Sequence, residues 1–140
     1  MKQLAVRASI LLCFPFLSLA QTPDTDFRIV LTHSDSDPAL IVALVTTTAT
    51  YPCFGYRLQT RVAQSHDTLT ISIGGLVRPS SCFHAFDIAR GDANLGSLSP
   101  GKYMLCVAYR NVVDHFEIRV AQKRILIQPI KHDFSEVTSQ

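Results

Sequence analysis

The sequence has no tryptophan and no block of basic residues, and beyond residue 20 it has no apolar run of the length that a membrane span needs. Affinity for nucleic acid comes largely from the neutralisation of phosphates. A chain without a basic block is therefore predicted not to bind nucleic acid. The same pattern predicts no membrane span.

Motifs of catalysis are missing as well. There is no Gly-x-Ser-x-Gly motif, and the double glycine at residues 74–75 precedes no helix, as a phosphate cradle would require. Residues 65–67 read Ser-His-Asp, but adjacent residues at a hairpin tip point away from one another, whereas a catalytic triad is assembled from distant parts of the chain. The sequence predicts neither an enzyme nor a bound cofactor.

The first twenty residues have the pattern of a secretory signal peptide. Lys2 and Arg7 precede the apolar run at residues 8–19, and small residues lead up to Ala20. We expect cleavage after Ala20 and a secreted or periplasmic protein. The whole chain has 13 basic and 11 acidic residues, so the loss of two basic residues leaves it without net charge.

The dominant pattern in the rest of the chain is the alternation of apolar and polar residues, which is typical of half-buried β-strands. It occurs in the segments FRIVLTHS, GYRLQTRVA, TLTISI and HFEIRV. Two further segments, LIVALVTTT and KYMLCVAY, are apolar on both faces and are predicted as central strands. Turn-forming residues in SDSDP, QSHD and RNVVD separate the strands.

Seven to eight short strands with hairpin spacing predict an all-β fold, a single antiparallel β-sandwich that spans residues 21–128. Residues 129–140 are predicted as a C-terminal tail. Residues 80–98 fit three structures, which the sequence leaves open: one helical turn, a short edge strand or a long crossover.

The segment LSPGKYMLCVAY, at residues 98–109, resembles the immunoglobulin-like and fibronectin type III-like β-sandwiches. Leu98, Gly101 and Tyr103 match the apolar residue, the tight corner and the tyrosine of that pattern. The resemblance implies that the hydroxyl of Tyr103 bonds to backbone at the corner. It implies no antibody-type disulfide, because Cys106 lies one residue beyond the matching position, and it implies no function.

Cysteine spacing predicts a disulfide between Cys53 and Cys82. If QSHD closes a hairpin, Cys53 falls opposite residue 78, a few positions from Cys82. Export to an oxidising compartment favours the bond. Cys106 is then predicted as a buried free thiol, and His115 as a turn residue.

A metal site is the alternative interpretation of these residues. The stretch PGKYMLCVAYRNVVDH is similar to the copper-binding strand of cupredoxins, with Cys106 and His115 as ligands. Cys82 and His84 have a spacing that zinc could use. Neither pair has a recognisable third and fourth ligand in the sequence, so we predict no metal and keep a small periplasmic copper- or zinc-binding protein as the alternative function.

Aromatic residues cluster around the predicted disulfide, and they are the remaining candidates for a binding surface. If the disulfide forms, one end of the fold gathers Tyr51, Phe54, Phe83 and Phe86. They form either a ligand-facing patch or, as we expect, a small satellite core under long loops. With no catalytic motif, the sequence predicts an exported non-enzymatic module with a binding or structural role toward a protein or a glycan.

Overall fold

The computed structural model describes residues 26–140, so the predicted signal peptide and its cleavage site lie outside the described residues. Within that range the secondary structure consists of β-strands, without a helix. The strands are β1 (Phe27–His33), β2 (Leu40–Tyr51), β3 (Arg57–Ser65), β4 (Thr68–Val77), β5 (Asp87–Ser97), β6 (Gly101–Tyr109), β7 (Val112–Ala121), β8 (Arg124–Lys131) and β9 (Ser135–Ser139). The prediction of an all-β fold is confirmed.

The strands form one nine-stranded sheet in the order β8-β7-β6-β4-β3-β5-β2-β1-β9. Its two edges, β8 and β9, approach each other, so the sheet is nearly closed, like a barrel. It is also mixed, because β4 and β6, β1 and β9, and β3 and β5 pair in parallel. The predicted antiparallel sandwich of seven to eight strands is corrected to this arrangement. The alternation of apolar and polar residues shows that each strand has one buried and one exposed face. Strands of a barrel and strands of a sandwich both have this property, so the pattern does not distinguish the two folds.

The core fills the interior of this curved sheet. Alternate residues of β1, β4 and β7 point inward, as the sequence predicts, and their neighbours face outward. Fully buried apolar side chains come from both halves of the sheet and include Ile29, Leu31, Ile41, Leu69, Ile71, Leu105 and Ile118. Because one row of side chains on each strand packs in this core, the other row is left on the exposed face.

Strand β5 occupies the segment that the sequence left open. It has 11 residues and lies in the interior of the sheet, between β3 and β2. Its inward row consists mostly of small residues: Ala89, Gly91, Ala93 and Leu95. Gly91 is needed there, because a Cβ at this position would lie 2.7 Å from the carbonyl oxygen of Leu58. Small inward residues and charged outward ones hide the strand pattern in the sequence.

The predicted C-terminal tail is corrected too, since residues 129–140 contain the end of β8 and all of β9. Strand β9 pairs in parallel with β1, with Ser135 opposite Phe27. The buried carboxylate of Asp114 on β7 accepts hydrogen bonds from the backbone N–H groups of three consecutive residues, Asp133 (2.7 Å), Phe134 (3.1 Å) and Ser135 (2.8 Å). The Ser135 hydroxyl donates a fourth bond at 2.6 Å. Asp114 therefore holds the start of β9, the edge strand that approaches β8, in place.

The tyrosine corner inferred from the resemblance is present. The Tyr103 hydroxyl donates a hydrogen bond of 2.9 Å to the carbonyl oxygen of Ser99, and the ring packs partly buried against the core. The single mixed sheet nevertheless differs from the two-sheet arrangement that the resemblance implies. The corner is thus a local device that holds the start of β6 against the preceding turn.

Replacing Tyr103 by phenylalanine should lower the free energy of unfolding by about 1 kcal/mol, because it removes the hydrogen bond that joins the start of β6 to the preceding turn. Denaturant titration of the two proteins measures the change. Tyr56→Phe is the matched control, since no hydrogen bond of the Tyr56 hydroxyl is found within residues 26–140, and it should shift the midpoint little. Equal midpoints for the wild type and Tyr103→Phe would contradict the role of the corner.

Candidate functional site

The Cys53–Cys82 disulfide is confirmed, with the two Cα atoms 5.1 Å apart. A two-residue turn at His66 and Asp67 sets the register of the β3–β4 hairpin, in which Ser65 pairs with Thr68. The open end of this hairpin then leads into the segments that carry the two cysteines. The disulfide joins these segments at one end of the barrel.

The disulfide ties together two loops, residues 52–56 and 78–86, which we call the disulfide loops. The backbone N–H of Phe54 donates a hydrogen bond of 3.3 Å to the carbonyl oxygen of Phe83. Gly55 has a φ of 94°, a conformation that other residues rarely adopt. A Cβ on Gly55 would lie 3.7 Å from Pro79, so the two loops are in van der Waals proximity there.

Three phenylalanines of the disulfide loops face solvent. Phe54, Phe83 and Phe86 are 55%, 71% and 81% exposed, and we call them the phenylalanine platform. The expected satellite core is therefore wrong for these residues. Tyr51 behaves differently: it packs against the core, and its ring lies 5.0 Å from that of Tyr56.

A cleft of about 470 Å³ borders the platform at Phe54 and was not predicted from the sequence. It lies along the seam between β3 and β5, which pair through a single bridge between Arg57 and Arg90. Parallel pairing places both arginines on the outer face of the sheet, where both are exposed. Asp87 and Asp92 also line the cleft, and Tyr56 contributes a second aromatic ring.

The charged groups of the cleft are only partly paired. Arg90 forms an ion pair of 3.2 Å with Oδ1 of Asp87, and the same oxygen accepts a hydrogen bond from the backbone N–H of Ile88. The other oxygen, Oδ2 of Asp87, is buried and has no hydrogen-bond partner within the described part of the chain. Arg57 has no ion pair among the same residues. Oδ2 of Asp87 is thus enclosed by protein atoms, whereas the guanidinium of Arg57 is exposed.

The candidate metal ligands are not arranged as a site. Cys106 is free but half-buried rather than buried, and burial raises the pKa of its thiol, which keeps the sulfur protonated. The prediction that His115 is a turn residue is wrong, because it lies in β7 directly opposite Cys106. In residues 26–140 no group of three His, Cys, Asp or Glu side chains is placed to hold a metal ion. Cys82 cannot join His84 as a ligand, since its sulfur is in the disulfide.

Comparisons with protein families, with curated proteins and with solved structures find no match for this chain. Over the range that the structure covers, no helix has the length and apolar character needed to cross a membrane. The exposed phenylalanines and the cleft are the features of residues 26–140 from which a function can be inferred.

Proposed function

We propose that the protein is an exported, non-enzymatic binding module that engages another protein through the phenylalanine platform. The observation that carries the proposal is the exposure of three phenylalanine rings on loops that a disulfide holds together. The disulfide and the Phe54–Phe83 backbone bond hold the loops that carry these rings together, and a group of exposed large apolar side chains is typical of protein-interaction sites. A structural disulfide is stable in the oxidising compartments outside the cytoplasm, which agrees with export.

The chemistry of the platform favours a protein over a glycan as its target. A phenylalanine ring has no polar atom and gains most by entering an apolar pocket of a partner. Exposed Arg57, Arg78 and Arg90 lie on or beside the disulfide loops, and Asp87 pairs with one of them. A partner with an apolar pocket bordered by carboxylates would complement this surface in both respects.

Rigidity supports the same proposal. Ordering loops at the moment of binding reduces affinity, and a covalent bond between the two loops removes part of this cost beforehand. The Phe54–Phe83 backbone bond adds a second constraint between the loops. We do not propose the metal-binding alternative, because the Cys106–His115 pair lacks a third ligand within residues 26–140 and Cys82 is oxidised.

Photo-crosslinking should capture the partner from the platform and not from elsewhere. A p-benzoylphenylalanine at Phe83 or Phe86 is expected to crosslink one partner in the native host. The same photo-reactive residue at Leu126 on β8 is the matched control, because this apolar side chain is 61% exposed on a different surface. The captured protein is then purified, and its affinity for the module is measured directly.

The variant Phe83→Ser/Phe86→Ser should weaken that affinity at least tenfold, since exposed anchor residues carry most of the binding energy of an interface. Leu126→Ser should leave the affinity unchanged. Both variants change exposed positions, so their melting curves should match that of the wild type. Equal capture from Leu126, or an affinity that the double variant does not change, would overturn the proposal.

A further inference from the structure

We propose that the Cys53–Cys82 disulfide is a redox switch of the phenylalanine platform. A small soluble thiol attacks the sulfur of Cys82, and the released loop no longer holds Phe83 and Phe86 in their binding arrangement. This regulation concerns the same platform and so rests on the proposed function. Two features carry it: the few contacts that hold the longer disulfide loop, and the unequal exposure of the two cysteines.

The longer disulfide loop, residues 78–86, depends on the disulfide for its position. It is largely exposed and contributes no residue to the buried core of the described chain. One backbone hydrogen bond of 3.3 Å, from Phe54 to Phe83, joins it to the rest of residues 26–140, together with a weak contact of 3.9 Å between Sγ of Cys82 and the carbonyl oxygen of Pro52. The disulfide is therefore the main constraint on this loop, and its cleavage leaves the loop free to move.

The barrel does not depend on the disulfide loops to keep its strands paired. Each loop begins and ends at residues that are already paired in the sheet: Tyr51 with Asp87, and Arg57 with Val77. Cys53 is buried but lies outside the apolar core that the strands form. Breaking the disulfide therefore frees the loops while the strands stay paired.

The two cysteines differ in their exposure to solvent. Cys53 is 2% exposed, whereas Cys82 lies in the exposed loop and is itself exposed. Access decides which sulfur of a disulfide a thiolate attacks. Cys53 is closed to a soluble thiol while the loops are in place, so the attack takes place at Cys82.

Burial of Cys53 slows this reaction without changing its site. The group that leaves is the thiolate of Cys53, and a thiolate is less stable at a buried position than in water. A less stable thiolate leaves more slowly, so the exchange is slower than that of a disulfide in an unfolded peptide. Attack on Cys53 would first require the loops to open, and Cys82 is therefore still the sulfur that reacts.

The reaction balances with two molecules of thiol. The first forms an S–S bond with Cys82 as the bond to Cys53 breaks, and the electron pair of that bond stays on the Cys53 sulfur, which takes up a proton. The second attacks the sulfur of the first thiol and releases Cys82 as a thiolate, which is protonated in turn. The two thiols are thus oxidised to one disulfide, and the protein disulfide is reduced to two thiols.

The test treats the oxidised protein with reduced glutathione and stops the reaction with acid at intervals. Peptide mapping should find glutathione on Cys82 about tenfold more often than on Cys53. After complete reduction, the NMR order parameters of the amides in residues 78–86 should fall to about 0.6 or lower, whereas that of Ile71 in the core should stay at about 0.85. Cys106→Ala is the matched control, because it removes the free thiol and keeps the disulfide, and it should give the same map.

Affinity for the crosslinked partner separates the switch from the proposed function. The reduced protein should bind this partner about tenfold more weakly than the oxidised protein does. Equal affinities would overturn the switch and leave the proposed function standing. Glutathione found equally on both cysteines, or order parameters that fall at Ile71 together with those of the loop, would overturn the switch as well. If even the oxidised protein binds no partner, the proposed function fails and the switch fails with it.

Discussion

Replacing Asp114 by alanine is expected to lower the free energy of unfolding by about 4 kcal/mol. The carboxylate is fully buried and accepts four hydrogen bonds, two from the segment between β8 and β9 and two from Ser135, the first residue of β9. Its removal leaves the N–H groups of Phe134 and Ser135 and the Ser135 hydroxyl without an acceptor at buried positions, and the N–H of the exposed Asp133 loses its partner as well. Denaturant titration measures the loss, and hydrogen exchange should become faster at residues 133–139.

Asp114→Asn should be nearly as destabilising, because an amide NH₂ group would then face N–H donors. Asp35→Ala is the control, since this aspartate is exposed in the loop after β1, and it should change the free energy of unfolding by less than about 0.5 kcal/mol. A loss below about 1 kcal/mol for Asp114→Ala would show that the closure of the sheet does not depend on this carboxylate.

The sequence predicts the strands whose inward residues are large. In β1, β4 and β7, leucine, isoleucine and phenylalanine alternate with polar residues, so a period of two reveals the buried face. Short turns, such as the one at His66 and Asp67, mark where these strands end. For these strands the local sequence is enough to predict which side chains are buried.

Strands β5 and β9 cannot be predicted from this alternation, for different reasons. The inward row of β5 is built from small residues, and its outward row contains Arg90 and Asp92, so no alternation of large apolar residues is visible. Strand β9 is short, and the acceptor that fixes it, Asp114, is distant in sequence. The order of strands in the sheet is likewise unpredictable from alternation, which says which face is buried but not which strand lies beside it.

The candidate site was also only partly predictable. Hairpin register is enough to bring Cys53 toward Cys82, and with them the phenylalanines of the two loops. The exposure of Phe83 and Phe86 contradicts the usual tendency of phenylalanine to be buried, and no local pattern indicates it. The cleft depends on the meeting of Arg57 and Arg90 across a parallel seam, which only the three-dimensional fold creates.

The second large effect on stability is expected from removal of the disulfide. In the chain-entropy model, this removal should lower the free energy of unfolding by about 3–4 kcal/mol. The bond closes a loop with a sequence separation of 29 residues, so the oxidised unfolded chain has far fewer conformations than the reduced one. The variant Cys53→Ala/Cys82→Ala avoids a stray thiol and removes the bond cleanly. Denaturant titration against the oxidised wild type measures the difference, and peptide mapping without reductant should link the Cys53 and Cys82 peptides.

Cys106→Ala is the matched control for the loss of sulfur packing, because this cysteine is free and half-buried on β6. It should lower the free energy of unfolding by no more than about 1–2 kcal/mol. The double variant should also lose affinity for the protein partner while Cys106→Ala keeps it, since only the former frees the loops that carry Phe54 and Phe83. If the double variant were as stable as Cys106→Ala and bound the partner equally well, the disulfide would be neither the constraint on the unfolded chain nor the support of the platform.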